Sequence, residues 1–353
     1  MGDINMMKLN TLPAATFRWL RMNDAVCRVG MTDGSLDISE DIPSQVHAES
    51  TKAAEVCDLE TGCGNAVTEL LARENAAVRT FRTASGTRAG HALRLGFPYG
   101  KNEGKTNEID LVLGEDSELT VVMDYTSDPD AGGFAAVQTK IHAGARSRMT
   151  LVQIVRVGEK MTFVNDVGAY LADEARLTVV HLFLSGSRVY QGVRAALCGN
   201  GSALKTDTGY IVRGESLLDM NYNAVHTGKR TVSGMNVSGV LRDKASKTFR
   251  GTIDFVRGSA GSAGDETEDV LLLSEDVVNK TIPLILCAEE DVSGNHGATI
   301  GRIPEDMRFY MEARGLSERD IVGMLEKARI DAVIRRIPDE VTRDKLTKSE
   351  ESA

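Results

Sequence analysis

One histidine lies in a segment whose composition favours ligand binding. His296 is within the glycine-rich stretch 291–301, DVSGNHGATIG, which follows a predicted strand and precedes a predicted helix. We expect this stretch to be a flexible link, and an imidazole among small residues can serve as a ligand for a soft metal ion. The same position also suits a turn histidine that caps the following helix. The residues alone leave both interpretations open.

Two cysteines and a glycine-rich turn near residue 60 offer weaker signals. Cys57 and Cys63 are six residues apart, but no second cysteine pair and no nearby histidine completes a four-ligand metal site. The Gly62-Cys63-Gly64 turn before a predicted helix resembles a phosphate-binding turn, yet it lacks a preceding strand and the third glycine of GxGxxG. Small buried residues at a helix start account for both features. No P-loop, GxSxG, HExxH or protein-kinase motif occurs in the chain.

Strand-like segments repeat along the middle of the chain at a spacing near 28 residues. Their anchor positions are separated by 30, 28, 27 and 28 residues and are Leu119, Met149, Leu177, Leu204 and Val232. One strand cannot bury its inner face alone, so such a repeat predicts stacked rungs with a continuous core. No helical pattern separates the strands, and no proline occurs from 130 to 282, where a strand ladder would lose an N–H donor. We therefore predict a mainly β chain with a solenoid core at 88–300.

The regions on either side of this core are predicted to be helical. In the N-terminal region, 1–87, apolar residues recur at helical spacing in segments 50–59 and 64–83. The C-terminal region, 301–340, is predicted to contain two helices. The charged residues 341–353 are predicted to form a frayed tail.

The two predicted C-terminal helices have recognisable boundary signals. Pro304 suits the first position of the first helix, and Gly315 suits the C′ position that ends it. Ser317 and Asp320 approximate a capping box at the start of the second helix, which Pro338 ends.

Composition and charge exclude several classes of protein. The 353 residues are 42% apolar and 26% charged, which suits an ordinary globular core. A net charge of −10 argues against broad electrostatic binding to nucleic acid or anionic lipid. No apolar run approaches the ~20 residues that a membrane helix needs. We therefore expect no membrane and no nucleic-acid partner. Five cysteines without a secretion signal indicate a reducing compartment, so we expect a cytoplasmic chain.

The C-terminal third resembles one known family in specific residues. The stretch 290–325, EDVSGNHGATIGRIPEDMRFYMEARGLSERDIVGML, is similar to the C-terminal signature of the SufB/SufD family. The preceding segment 271–286, LLLSEDVVNKTIPLIL, resembles the last strands of that family. The match is specific over 270–337 and rests on the rung pattern alone over 88–269. His-Gly rather than His-Glu before Ala-Thr favours the SufD-like branch.

This resemblance implies a fold and a set of partners. Family members form a right-handed parallel β-helix flanked by N-terminal and C-terminal helical regions. They are subunits of the cytosolic SUF scaffold for iron–sulfur cluster assembly, in which SufB and SufD-like chains pair through their β-helix cores. Each chain binds one SufC-type ABC ATPase through its C-terminal helices. By position, the residues in or beside that contact are Phe309, Tyr310, Arg314, Gly315 and Leu316.

The sequence departs from the family at both cluster-associated cysteine positions. Gly294 stands two residues before His296, where SufD proteins typically have a cysteine, and Glu268 stands where SufB has its cluster-bearing cysteine. Glu268 could supply an oxygen ligand to iron, or it could belong to a solvated acidic turn. Cys287 is expected to face the core. We therefore expect no tightly bound cofactor in this chain alone, and a transient iron–sulfur cluster at a dimer interface with thiolates from a partner.

These inferences predict a non-catalytic, SufD-like scaffold subunit that pairs with a SufB-like chain or a second copy of itself. One alternative is a SufB-type homodimer that carries the nascent cluster. Another is a β-helix carbohydrate-active enzyme, and a third is a plain interaction solenoid.

Overall fold

Most of the chain forms a parallel β-solenoid of about eight turns. The structure is a computed structural model, and it describes residues 6–14, 16–17 and 19–351. Among these residues, each turn adds one strand to each of two facing nine-stranded sheets.

In both sheets, the strands lie side by side in the order in which they occur along the chain. Beside the sheets, β1 (Met6–Leu9) and β2 (Ala25–Arg28) form an antiparallel pair. Sheet 1 contains, in spatial order, β3 (Ser39–Asp41), β6 (Leu93–Tyr99), β8 (Glu118–Ser127), β10 (Arg148–Arg156), β12 (Arg176–Ser185), β14 (Ala203–Val212), β16 (Val232–Leu241), β18 (Ser262–Leu272) and β20 (Val292–Gly301). Sheet 2 contains β4 (Val46–Glu49), β5 (Ala77–Thr83), β7 (Glu103–Leu113), β9 (Gly132–Ala143), β11 (Lys160–Leu171), β13 (Arg188–Leu197), β15 (Leu217–His226), β17 (Ser246–Phe255) and β19 (Val278–Cys287).

The strand register confirms the predicted repeat. Met149 pairs with Leu119 on one side and with Leu177 on the other, and Leu177 pairs with Leu204. The last anchor, Val232, pairs with Ala203 and is thus one residue out of the predicted register. The anchors lie in neighbouring strands of sheet 1, from β8 to β16, so the 28-residue spacing is the length of one full turn.

The main core lies between the two sheets, and a second layer covers the outer face of sheet 2. In β15, Leu218, Met220 and Tyr222 point into the core with their alternation partners on the opposite face. That opposite face is also buried, because the N-terminal layer (the described residues of 6–29 and 53–76) packs on it. Asn221 Nδ2, for example, donates to the Gly62 carbonyl oxygen at 2.8 Å.

The predicted helical N-terminal region, 1–87, is wrong for the described residues. They form five short strands, one 3₁₀ turn (Ala54–Val56) and one helix, α1 (Asn65–Arg73). The helix buries Val67, Leu70 and Leu71 as its spacing predicts, but it ends ten residues early. Asn75 has a φ of 49°, which leaves the helical path, and the following residues pair with β7 instead. Residues 1–5 of the predicted region lie outside the described residues.

The C-terminal helices agree with their boundary signals, except that Pro304 is the N-cap residue of the first helix rather than its first helical residue. Helix α2 (Glu305–Ala313) ends at Gly315, whose φ of 87° is the left-handed conformation that glycine favours. The N–H of Gly315 donates to Glu312 and that of Leu316 donates to Met311, the two bonds of a Schellman motif. Helix α3 (Glu318–Ile334) begins with the Ser317–Asp320 capping box.

The predicted frayed tail at 341–353 is wrong over its described part. Residues Glu340–Glu351 form helix α4, and Leu346 is only 1% exposed. Leu346 packs with Ile330 and Ile334 of α3 on the outer face of sheet 1. This burial stabilises a helix in a segment whose other residues are mostly charged or polar. Among the described residues, no helix is long and apolar enough to cross a membrane.

Candidate functional site

The last rung of the solenoid is open to solvent. Strands β19 and β20 end the two sheets, and no described strand pairs with their outer edges. Almost every residue of β20 is exposed, in contrast to the buried strands before it. Pro283 fits this place because its missing N–H is tolerated on an edge strand. This rung is therefore the place where side chains of the solenoid interior become accessible.

His296 lies in this rung, within β20, so its prediction as part of a flexible link is wrong. Residues 292–301 pair with β18 along their whole length, and His296 is opposite Glu266. Registered neighbours in a parallel ladder present their side chains on the same face, so His296 follows Glu266 on the face toward the interior. The imidazole is exposed and has no hydrogen-bond or ion-pair partner among the described residues. It is accessible as a ligand.

Glu268 is neither solvated nor in a turn. It lies buried in β18, where its carboxylate forms an ion pair with the buried Lys247 ammonium. Thr281 Oγ1 donates to Glu268 Oε2 at 2.5 Å. The alternation of β18 places Glu268 inward. The acidic residues around it in the sequence had suggested a solvated turn instead. Ala298 follows it in register, so Glu268 is one strand removed from the open edge.

Glu266 is a candidate residue that the sequence analysis missed. Its carboxylate crosses the interior to β17, where a Cβ on Gly251 would lie 2.0 Å from Glu266 Oε2. Burial, together with the charge of Glu268, raises the pKa of Glu266 to about 8. Burial also lowers the pKa of Lys247, an effect that the charge of Glu268 opposes. The available signal was the alternation in GDETEDV, which puts both glutamates on one face.

These groups give the rung oxygen and nitrogen donors but no complete metal site. No group of three or more His, Cys, Asp or Glu in the described part of the chain is arranged to hold a metal ion. Gly294 packs against Ile285 and Phe255, where even a Cβ would be 3.1 Å from each. Cys287, predicted to face the core, is exposed at the end of β19, where its thiol donates to the Glu289 carbonyl oxygen at 3.0 Å.

A second exposed surface is formed by α2 and the turn that follows it. None of the residues of α2 is buried, and Phe309 and Tyr310 are 73% and 57% exposed. The Arg314 guanidinium stacks over the Tyr310 ring at 4.8 Å from its centroid. Gly315 is exposed and Leu316 is half-buried in the turn. All five residues expected at a partner contact thus lie together on one projecting element.

Comparison with known proteins identifies the family. The family model described as SUF system FeS cluster assembly, SufBD core domain, matches residues 98–329. The chain belongs to the SufB/SufD family. The match extends from β6 into α3 and includes the open rung, His296 and α2, whereas the N-terminal layer and α4 lie outside it.

Individual relatives in the SufB/SufD family support the SufD-like assignment. The chain is 24% identical over 244 residues to the iron-sulfur cluster assembly protein SufD of Bacillus subtilis, covering 68% of this chain and 55% of that protein. It is 24% identical over 237 residues to the Escherichia coli protein of the same name, covering 65% and 54%. The chain therefore spans about half the length of these curated relatives. The predicted family and β-solenoid fold are confirmed.

Proposed function

We propose that this chain is a non-catalytic, SufD-like subunit of a SufBCD-type cytoplasmic scaffold that assembles and transfers iron–sulfur clusters. The observation that carries this proposal is the uncovered last rung, which combines two unpaired strand edges with an accessible histidine. The relatives from Bacillus subtilis and Escherichia coli, each an iron-sulfur cluster assembly protein SufD, support the same proposal.

The open rung suits pairing with a SufB-like chain or with a second copy of this chain. Soluble proteins normally protect long strand edges, because unpaired N–H and C=O groups recruit other strands. Here two ten-residue strands lack such protection among the described residues, and they expose Val278 and Ile300. A partner rung stacked on this end would satisfy the backbone groups and bury these side chains.

His296 is the ligand that this chain would present to a nascent cluster, which is the cargo of the scaffold. Imidazole is a suitable ligand for iron, and the thiolates would come from the partner because Gly294 and Glu268 replace the family cysteines. A cluster held between two chains in this way would be transient, and neither chain alone would retain it.

Helix α2 is the proposed dock for a SufC-type ABC ATPase. Its exposed Phe309 and Tyr310 are the kind of aromatic anchors that dominate protein interfaces. When the ATPase dimerises on ATP, it would pull on the C-terminal helices and reshape the paired rung where the cluster sits.

Co-expression with a SufC-type ATPase tests the docking proposal. We expect the wild-type chain to retain the ATPase on purification and the double variant Phe309→Ala/Tyr310→Ala to recover at least about tenfold less. Val341→Ala, which removes an exposed apolar residue from α4, is the matched control and should bind normally. Equal recovery by all three proteins would reject docking through α2.

Co-expression with a SufB-like chain and the ATPase tests whether the last rung pairs with a partner and whether His296 contributes to cluster binding. Ala298→Lys adds a charge where the partner rung would stack and should abolish pairing, whereas Ser293→Lys adds it to the outer face and should not. His296→Ala should preserve the complex but lower its iron and sulfide content, with His47→Ala at the opposite end of sheet 2 as the control. Unchanged iron and sulfide would reject the role of His296.

A SufB-type homodimer is the second candidate, and the exposed Cys287 thiol favours it. This thiol lies on the open rung and could supply a thiolate from this chain itself. The purified chain would then form a dimer in sedimentation experiments and reconstitute a cluster without a partner. Cys287→Ser would abolish that reconstitution.

A further inference from the structure

The β1–β2 hairpin, residues 6–28, has an outer surface that the proposed scaffold function does not use. Its inner face, which includes Leu9 and Cys27, is buried against α1 and sheet 2. The segment between its two strands contains Trp19, the only tryptophan of the chain, which is 99% exposed. Tryptophan is highly buried on average in folded proteins, so this exposure indicates a binding surface.

The segment that carries Trp19 is fixed to the rest of the molecule at its base. The buried Arg250 guanidinium of β17 donates to the Met22 carbonyl oxygen at 2.7 Å. The N–H of Phe17 donates to the side-chain oxygen of the buried Asn23 at 2.8 Å. The fold therefore holds Trp19 out in solvent on an anchored turn, which reduces the conformational entropy that binding would cost.

The outer surface of the hairpin combines apolar side chains with positive charge. Its exposed apolar residues are Met6, Trp19, Leu20 and Val26. Residues 6–28 contain four basic side chains and a single acidic one, Asp24, which forms an ion pair with Lys8 at 2.8 Å. This local excess of positive charge contrasts with the net charge of −10 for the whole chain.

The arrangement of these side chains favours a lipid surface over a protein partner. Met6 is paired in register with Arg28, and Val26 with Lys8, so each exposed apolar residue of the strands has a cation directly opposite. The centre of a protein interface is instead depleted of charged residues. Binding to a bilayer surface depends on both quantities that this hairpin offers, buried apolar area and attraction to anionic lipids.

We propose that the β1–β2 hairpin binds an anionic lipid surface. Trp19 and Leu20 enter the headgroup region, while the exposed Arg21 and Arg28 contact lipid phosphates. The net charge of −10 opposes contact by the rest of the chain, so binding is confined to the hairpin and is reversible. The expectation of no membrane partner rests on that net charge and does not take the local distribution into account.

Fluorescence of the full chain with lipid vesicles tests this proposal directly. Because Trp19 is the only tryptophan, its emission should shift to shorter wavelength on vesicles of equal parts phosphatidylcholine and phosphatidylglycerol. Brominated lipid chains should quench that emission. Vesicles of phosphatidylcholine alone should bind at least about tenfold more weakly, and added salt should weaken binding to the mixed vesicles.

Matched variants, compared by flotation with the mixed vesicles, separate the apolar and the electrostatic contributions. Trp19→Ala should weaken binding at least about tenfold. Met31→Ala is its control, because Met31 is 94% exposed but lies against Gly104 of β7, five strands of sheet 2 from β17. Arg21→Glu should weaken binding at least about fivefold, whereas Arg176→Glu, the same charge change at an exposed position of sheet 1, should not. All four side chains are exposed, so each variant should fold like the wild type.

Three results would overturn the proposal: no binding to the mixed vesicles, an unshifted Trp19 emission, or equal binding by Trp19→Ala. Retention of a SufB-like chain or of the ATPase that requires Trp19, without any vesicle binding, would also overturn it and would make the hairpin a protein interface. None of the vesicle measurements bears on the proposed scaffold function, because the hairpin includes neither the open rung nor α2.

Discussion

At the scale of single residues, the paired acidic side chains of β18 determine the chemistry of the open rung. Glu268 forms an ion pair with Lys247, whereas Glu266 has no ion-pair partner among the described residues and lies against the Gly251 backbone. Both carboxylates are buried, and the charge of Glu268 favours a protonated Glu266. The position of His296 next to Glu266 in the ladder makes this proton relevant to any ligand that reaches the rung.

The raised pKa of Glu266 predicts a dependence of stability on pH. Its pKa is about 8 in the folded chain and near its ordinary value of 4.5 when unfolded, so the folded state holds the proton more tightly. The free energy of unfolding should therefore be highest below pH 4.5 for this group and fall as pH rises toward 8, by up to about 4 kcal/mol. Glu266→Gln should remove this slope in urea unfolding between pH 5 and 8.

Asp265→Asn is the control for this pH dependence. Asp265 is exposed on the outer face of the same strand, where it accepts a hydrogen bond from Asn295 at 2.9 Å. Its replacement should leave the slope unchanged. A slope that survives in Glu266→Gln would show that another group titrates.

At the scale of elements, the C-terminal helices illustrate how local signals and packing contribute differently. Helix α2 begins within one residue of the predicted start and ends where Gly315 predicts, and it packs mainly beside α3 without burying any residue. Helix α4 has an N-cap in Asp339, whose Oδ2 accepts a hydrogen bond from the Thr342 N–H at 3.1 Å, but its apolar residues are buried only by docking to sheet 1. Arg94 supports this docking through an ion pair with Asp339 at 2.7 Å. The stability of α2 should therefore depend on the backbone conformation at its ends, and that of α4 on its apolar contacts with sheet 1.

Two glycine substitutions should have opposite effects. Gly315→Ala places a Cβ on a residue with φ of 87° and should destabilise the end of α2 by about 1 kcal/mol. Gly323→Ala lies within α3 with nothing near its Cβ and should stabilise that helix by up to about 1 kcal/mol. Amide hydrogen exchange should become faster in α2 for the first variant and slower in α3 for the second. The same direction of change in both would contradict this account.

Loss of one leucine should release α4 from sheet 1. Leu346→Ala removes a side chain that is 1% exposed and should cost about 2–4 kcal/mol for docking of the helix. Faster amide exchange and proteolysis within 340–351 would report the release. Val341→Ala, on the exposed side of the same helix, should leave both rates unchanged.

At the scale of the whole molecule, buried charges tie the N-terminal layer to the solenoid. Arg250 of β17 forms an ion pair with Asp219 at 2.6 Å and donates to the carbonyl oxygens of Met22 and Asp24 at 2.7 and 3.0 Å. Asn10 of the layer also donates to Asp219, at 2.7 Å. The contacts of Arg250 with Met22 and Asp24, and that of Asn10 with Asp219, join residues more than 200 positions apart and close the outer face of sheet 2.

Removal of Arg250 should therefore destabilise the whole chain. Arg250→Met leaves the Asp219 carboxylate buried without its cation and should lower the free energy of unfolding by about 3–5 kcal/mol. The double variant Arg250→Met/Asp219→Asn removes the uncompensated charge and should recover part of that loss. Urea unfolding gives both values, and limited proteolysis reports whether the N-terminal layer detaches. Equal stability of the single and double variants would contradict the argument.

The sequence by itself determined the solenoid, the α2–α3 boundary and the family. Rung spacing reflects the length of one turn, and the Gly315 and Ser317 signals act within a few residues, so both are readable locally. Only the tertiary structure decided that 292–301 is a strand, that Glu266 and Glu268 face inward, and that 341–351 is a docked helix. A strand gains its hydrogen bonds, and a helix such as α4 its burial, from elements distant in sequence. Those partners are present only once the chain has folded.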